Sequence, residues 1–410
     1  MLSAEPLVVI AGRLVDVTTG LMVTDQALVV EGDRIRDVVD AAAAPAQART
    51  IDLSERTVLP GMIDCHAHLI GELDEGQGYG YLVNRSSAQE ALTGVTNARD
   101  TLLGGFTTVR DVGTFHAFVD LALREAIEDG RIVGPRMMCA GAYVTCPGGG
   151  GDITGLPPEV PVPSGLRMGV SSGPDQVRAN ARRIFDAGAD FIKVIATGAV
   201  LTSGTNPGEP ELTEDEIRAA VEEAETRGSH VAAHAHGAEG AMRAIRAGVR
   251  SIEHGCLIDD ETISLMVERG TNLVADMFDG DWMLQEGPRL GYSDEVLGRT
   301  EMTNDAQREN FARAVKAGVR IAFGTDSGIY PHGMNAKNLA FHVRFGQTPM
   351  DAIRSATIAS AQLLGWEDRV GSLQPGRFAD LIAIDGDPLD DVTVLEDVPF
   401  VMKGGDVVKD

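Results

Sequence analysis

The chain has 410 residues, of which 35 are Lys or Arg and 61 are Asp or Glu, giving a formal net charge of −26. Such a surface repels nucleic acid and anionic membranes, so neither is an expected partner, and the acidity itself reads as solubility. With 43% hydrophobic and 23% charged residues the composition is globular, and the length suits one α/β barrel with an accessory module.

Taken in chain order, the opening MLSAEPLVVIAG lacks a basic segment followed by a long apolar one, so no export signal is expected. Residues 5–58 read as short strands with turns: LVVIAGRLVDV, ALVVEGDRIRDVV and RTIDLSERTVL. A recurring unit follows. An amphipathic helix ends at glycine, and a short β-rich run then ends in a polar or glycine-containing loop. Ala98, Leu102 and Leu103 lead into FTTVRDVG; Val177, Ala181, Ile184 and Phe185 into FIKVIATG; Ile217, Val221 and Ala224 into HVAAHAHG. Met242 and Ile245 lead into RSIEHG, Ile263 and Met266 into NLVADM, and Phe311, Ala312 and Val315 into RIAFGTDSG. Thr213 and Glu216 are placed to form a capping box. With VLPGMIDCH and PRMMCAGAYV the strands number eight, which predicts a TIM-like (β/α)8 barrel over residues 60–365. GRFADLIAID and VPFVMKGGDVVKD close the chain. Residues 1–59 and 366–410 are expected to form one small β-sandwich, with hairpin turns at Glu31-Gly32-Asp33 and Gly404-Gly405-Asp406. The Gly-, Pro- and polar-rich stretches 144–173 and 277–303 should roof the barrel end that carries the chemistry.

No run of about 18 apolar residues is present to span a bilayer. Cys65, Cys139, Cys146 and Cys256 form no CxxC pair and no disulfide framework; all read as small core residues. A cytoplasmic protein acting on a small molecule is expected, and a homo-oligomer is compatible with the chain.

Ligand-type residues gather at predicted strand ends, where barrel enzymes carry their chemistry. His66-Ala67-His68 places two imidazoles on one face of an extended segment, because side chains alternate along a strand. Lys193 lies in an otherwise apolar strand, where burial neutralises an amine; a neutral amine can take up carbon dioxide as a carbamate and bridge two metals. His234 and His236 alternate as His66 and His68 do, and His254 ends the next strand. His234 and His254 are assigned to a metal and His236 to the substrate, although both histidines of VAAHAHG face the same way. Asp326 could bind an ion, accept the proton of the attacking water and deliver it to a leaving amine. His332, on the same loop, and Tyr143 are candidate substrate contacts; Trp282 and Tyr292 read as packing at the rim. CPGGGGD lacks the context of a phosphate loop and reads as a flexible lid.

DCHAHL, LLGGFTTVRDVG, KVIATGAV, VAAHAHG, SIEHG, GTDSGIYPHG and VGSLQPGRFADLIAIDGDP together resemble the amidohydrolase superfamily. More narrowly they are similar to its imidazolonepropionase-like and Xaa-Pro-dipeptidase-like branch, which includes ochratoxin-hydrolysing enzymes. The resemblance implies a TIM-like barrel with a terminal β-sandwich and two divalent ions, usually zinc. It places His66, His68, His234, His254 and Asp326 on the ions, with carboxylated Lys193 between them, as in the binuclear subgroup. Imidazolonepropionase resembles a mononuclear variety without that lysine. Relatives often carry TGGHGD where this chain has CPGGGGD, without the histidine, so no substrate preference is carried over. The expected activity is hydrolysis of an amide bond in an N-acyl amino acid or dipeptide with a free carboxylate. A metal-bridging hydroxide would attack, with His236 and one ion stabilising the oxyanion. The alternatives are hydrolysis of cyclic amides, carbamates or esters, and a metal-binding protein without catalysis.

Overall fold

The computed structural model describes residues 7–71 and 78–410. The expectation of a leaderless start falls partly on residues 1–6, outside the described residues. Sixteen strands fall into three sheets. Seven come from the two chain ends: β1 (Leu7–Asp16), β2 (Leu21–Glu31), β3 (Arg34–Asp40), β4 (Arg49–Pro60), β14 (Leu381–Ile384), β15 (Phe400–Lys403) and β16 (Asp406–Lys409). They form a single sheet in the order β16-β15-β14-β4-β1-β2-β3. The strands of both termini share one hydrogen-bonded sheet, because β4 pairs on both sides, with β1 in parallel and with β14 antiparallel. Two separate stacked sheets, as expected from the turn-rich termini, are not shown; Val9, Leu28, Leu381 and Phe400 of this one sheet share a core.

Strand alternation explains how this sheet attaches to the rest. Leu381 and Ala383 of β14 face a core with Val9, Leu28 and Phe400. Ile382 and Ile384, one residue out of phase, face Leu339, Ala352 and Ile353 on the helices Lys337–Arg344 and Pro349–Arg354.

The remaining strands are β5 (Met62–Ala67), β6 (Phe106–Asp111), β7 (Arg136–Cys139), β8 (Tyr143–Val144), β9 (Ile192–Ile195), β10 (Val231–Gly237), β11 (Ser251–Leu257), β12 (Asn272–Ala275) and β13 (Arg320–Phe323). Every pairing among them is parallel. Helices alternate with the strands, and all six residues of β5 are buried, as in sheets covered on both faces. The helix stripes read from periodicity are the buried ones: Val177, Ala181, Ile184 and Phe185 on Pro174–Asp186, and Ile217, Val221 and Ala224 on Glu214–Thr226. Thr213 and Glu216 make the expected capping box.

The ladder is not one continuous eight-stranded barrel. It consists of a three-stranded sheet, β5-β6-β7, and a six-stranded sheet, β13 to β8. The predicted third strand breaks into β7 and β8 at Gly141, whose φ of 75° no β-strand accommodates. Between β5 and β13 pairing appears only past the strand ends, as an Ala67–Ser327 bridge. There the amides of Thr325 and Asp326 both donate to the His66 carbonyl, at 3.1 and 2.8 Å. The fold is thus α/β with parallel sheets, an arrangement consistent with a TIM-like architecture. No helix among the described residues is long and apolar enough to cross a membrane.

The stretch 277–303, expected to roof the site, is helical and contributes Asp279, Met283 and Thr300 to the cavity lining. Met277–Leu290 ends at Gly291 in the left-handed conformation, and Ser293 caps the long helix Asp294–Ala317. Pro288 lies in the last turn of that helix, and Gly280 and Gly287 sit where a Cβ would strike Asn304 and Tyr292.

Candidate metal and catalytic site

Five of the parallel strands bring these side chains together at one end of the sheets. His66 closes β5 with His68 just beyond it; Lys193 lies in β9, His234 and His236 in β10 and His254 in β11; Asp326 follows β13. All seven line one cavity of about 140 Å³. At roughly 10–15 Å³ per water this holds about ten waters, enough for a small substrate.

The geometry is tight. Nε2 of His66 and of His68 lie 3.4 and 3.2 Å from Asp326 Oδ1. The His254 ring centroid is 4.7 Å from that of His66, 4.6 Å from His234 and 4.8 Å from His236. Ligand atoms of His66, His254 and Asp326 lie within 4.8 Å of one another, as do those of His234, His236 and His254. His254 and Asp326 have φ of 67° and 53°. Left-handed backbone at non-glycine residues is costly and is enriched at functional sites; Asp25 and Phe118, outside the cavity, share it.

The surrounding hydrogen bonds decide which ring nitrogen is free. His66 Nδ1 donates to Glu253 Oε2 at 2.8 Å, His68 Nδ1 to the Gly113 carbonyl at 2.9 Å and His254 Nδ1 to Asp276 Oδ2 at 2.6 Å. Each leaves an Nε2 lone pair facing the cavity, the usual way a protein orients a metal-binding imidazole. His234 is reversed: its Nε2 contacts the Gly198 carbonyl at 3.2 Å, leaving Nδ1 with the free lone pair. His236 Nδ1 lies instead against the Cys256 sulfur, 3.0 Å away.

Electrostatics agree with a donor set. Burial holds His234, His236 and His254 well below the usual imidazole range, so they are neutral. Burial opposes ionisation of Asp326, but with no cation between them a proton on the facing Nε2 of His66 or His68 outweighs it and holds that carboxyl well below its ordinary value. Burial pushes Lys193 down to about 8, against the attraction of Glu253. Neutral imidazoles, a carboxylate and an easily neutralised amine suit borderline divalent ions such as zinc.

One expected contact, His332, lies elsewhere, and Trp282 packs as expected. Both ring nitrogens of His332 are engaged behind the site, with Thr101 Oγ1 at 3.0 Å and the His68 carbonyl at 3.1 Å, so it buttresses β5 rather than lining the cavity. Trp282 packs against Phe278 and Tyr330, outside the cavity lining. Tyr143 does line the cavity, its hydroxyl donating to the Gly113 carbonyl at 2.8 Å. Cys256, expected as plain core, is a lining residue. Backbone amides of the CPGGGGD segment are tied down, Gly148 to Asp152 and Gly150 to Glu211.

Sequence reading missed the supporting shell. Glu253 is fully buried and paired with Arg110, whose Nη2 lies 2.8 and 2.9 Å from its two oxygens, and Ser251 also donates to it. Asp276 receives Gln307 Nε2 at 2.9 Å on its second oxygen. The signal for Glu253 and Asp276 lay in the motifs already noticed, SIEHG and NLVADM: charged residues where a buried strand ends. Gln307 gave none, because a polar residue inside a long helix reads as a solvated face.

The sequence profile of the amidohydrolase family matches residues 57–408. Ochratoxinase of Aspergillus niger is 33% identical, over 99% of this chain and 87% of that protein. Among solved structures, a Xaa-Pro dipeptidase with bound methionine is 36% identical with a TM-score of 0.92, covering 99% of this chain and 100% of that one. A prolidase complexed with N-methylphosphonate-L-proline is 30% identical with a TM-score of 0.91, covering 98% and 99%.

Proposed function

The chain belongs to the amidohydrolase family, and from that premise we propose that it is a binuclear metal hydrolase of amide bonds, acting on dipeptides or N-acyl amino acids with a free carboxylate. What carries this reading is the convergence on one cavity of four imidazoles with assigned lone pairs, Lys193 and Asp326, the last at left-handed φ. His66, His68 and Asp326 would hold one divalent ion, His234 and His254 the other, and Lys193, as its carbamate, would lie between them. Bound there, the ions would act as Lewis acids toward the scissile carbonyl and lower the pKa of the attacking water.

The chain's own groups do the rest. Asp326 accepts the proton of the attacking water and passes it to the leaving amine nitrogen as the C–N bond breaks. His236, lining the cavity beside His254, donates to the carbonyl oxygen as negative charge develops there; a donor of this kind typically contributes about 2.7–4 kcal/mol. The Glu253–Arg110 pair and Asp276–Gln307 hold His66 and His254 in register. The names of the relatives, a dipeptidase, a prolidase and an ochratoxinase, fit amide cleavage.

The test combines elemental analysis of purified protein with assays on dipeptides and N-acyl amino acids. Two ions per chain, activity abolished by chelation and restored by zinc, and loss of the carbamate carbon signal and of activity in Lys193→Ala are expected. A Lys193→Ala protein with two ions and full activity would refute the bridging role, and cleavage confined to cyclic amides or esters would refute the substrate class.

A further inference from the structure

One wall of the cavity is built from the helices Met277–Leu290 and Asp294–Ala317, which contribute Asp279, Asn304 and Gln307, with Asp276 at the cap of the first. Two acceptor oxygens there have no partner: Oδ1 of Asp279 and Oδ1 of Asn304 are both buried without a hydrogen bond. Asn304 is only 6% exposed, and its amide orientation is set, because Nδ2 donates to Asp281 Oδ1 at 3.0 Å. The idle atom is therefore an acceptor by necessity. Buried oxygens left unpaired cost free energy that a donor must offset. Among the described residues the lining contains no arginine, and its one lysine is Lys193.

A carboxylate oxygen of Asp279 lies within 4.8 Å of one on Asp276 and one on Asp326. The trio does not suit a third metal ion, because Asp276 already accepts from His254 on one oxygen and from Gln307 on the other. A group that brings its own protons fits better. Resting on the hydrolase reading above, we propose that Asp279, with Asn304, receives the free α-ammonium of a dipeptide substrate. The enzyme is then an aminoacyl dipeptidase that discriminates against N-acyl amino acids. Proximity selects the α-ammonium over a cationic side chain. In a dipeptide one carbon separates the ammonium nitrogen from the scissile carbonyl carbon, so a carboxylate next to Asp326 is within its reach, whereas a lysine or arginine side chain carries its charge many bonds away. The residue bearing the ammonium would rest on the apolar wall of Leu82, Phe115, Ile195, Val200, Met283 and Ile329.

The experiment compares substrate pairs differing only in the ammonium, L-alanyl-X and propionyl-X with X as proline, phenylalanine or methionine. Metal-replete wild-type and Asp279→Asn protein are both assayed. The wild type should favour the alanyl member by roughly 10- to 100-fold in kcat/KM, as expected for a charge-assisted hydrogen bond. Asp279→Asn should bring the pair within about threefold of each other with metal content unchanged, the expected consequence of removing that one charged acceptor. Calorimetric binding of 1-aminoethylphosphonyl-L-proline against ethylphosphonyl-L-proline reads the same preference without turnover. If neither substrate is cleaved but the amino ligand binds preferentially and Asp279→Asn removes the preference, the hydrolase reading fails and the ammonium site stands. Equal or better handling of the propionyl member by the wild type, a preference that persists in Asp279→Asn, or loss of an ion in that variant would each overturn the proposal.

Discussion

The seven-stranded sheet of the chain ends and the cavity end of the parallel sheets are built on opposite terms. In the first, β14 alternates its side chains between two apolar cores, and a buried carboxylate beside it, Asp380, is paired with Arg136. In the second, imidazoles, carboxylates, a lysine and an arginine are buried together, with two residues in left-handed backbone. Apolar burial is roughly proportional to area and forgiving in position. Buried polar groups stabilise only when every partner is present. The first region should therefore fail by losing stability, and the second by losing chemistry.

The largest effect tests that division at the site. Asp326→Asn keeps a residue that tolerates left-handed φ but removes the proton acceptor, so kcat should fall by about 10²- to 10⁴-fold with the melting temperature almost unmoved. A large drop in melting temperature would show that the carboxylate has a structural role. Glu253→Ala blurs the division on purpose. It strands the fully buried Arg110 and frees His66, so denaturant unfolding should show a loss of about 3–5 kcal/mol together with weaker metal retention. Ile382→Ala removes a fully buried side chain from the terminal sheet. It should cost about 2–5 kcal/mol by denaturation and leave kcat/KM unchanged in the folded protein.

The smallest effect is one of pH. Burial opposes ionisation of Asp16, but Thr19 and Thr18 donate to it at the β1–β2 turn, and its folded pKa falls below the model-peptide 3.8. A depressed carboxyl pKa contributes stability above its unfolded value, and that contribution is lost as pH falls through the folded value. Asp16→Asn should thus cost well under about 1 kcal/mol at pH 7, because solvent screens this partly exposed carboxylate, and the difference from wild type should vanish in acid. A difference that grew on acidification would reverse the assignment.

The sequence made the parallel strands and their ligands legible, because a histidine or lysine at the end of an apolar run has few structural reasons to be there. It did not disclose Gln307 or Asn304, which face inward from a helix whose polar residues look solvated until the neighbouring helix Met277–Leu290 is placed against it. It misplaced His332, because a loop histidine near a strand end carries no sign of which way its ring turns. The terminal sheet showed its strands and turns but not its pairing. Whether two groups of strands share one hydrogen-bonded sheet depends on β4 having two neighbours, a long-range choice that local alternation does not encode.

That pairing has a consequence for how the molecule is made. Pro60 lies opposite Leu381, so β4 waits for almost the entire polypeptide to emerge before one of its flanks is covered. Contacts so distant along the chain form slowly. Until they do, a nascent or truncated product stopping short of Leu381 displays an open backbone edge of the kind that recruits other strands. Aggregation during synthesis should therefore be governed by the last thirty or so residues, far from any catalytic group.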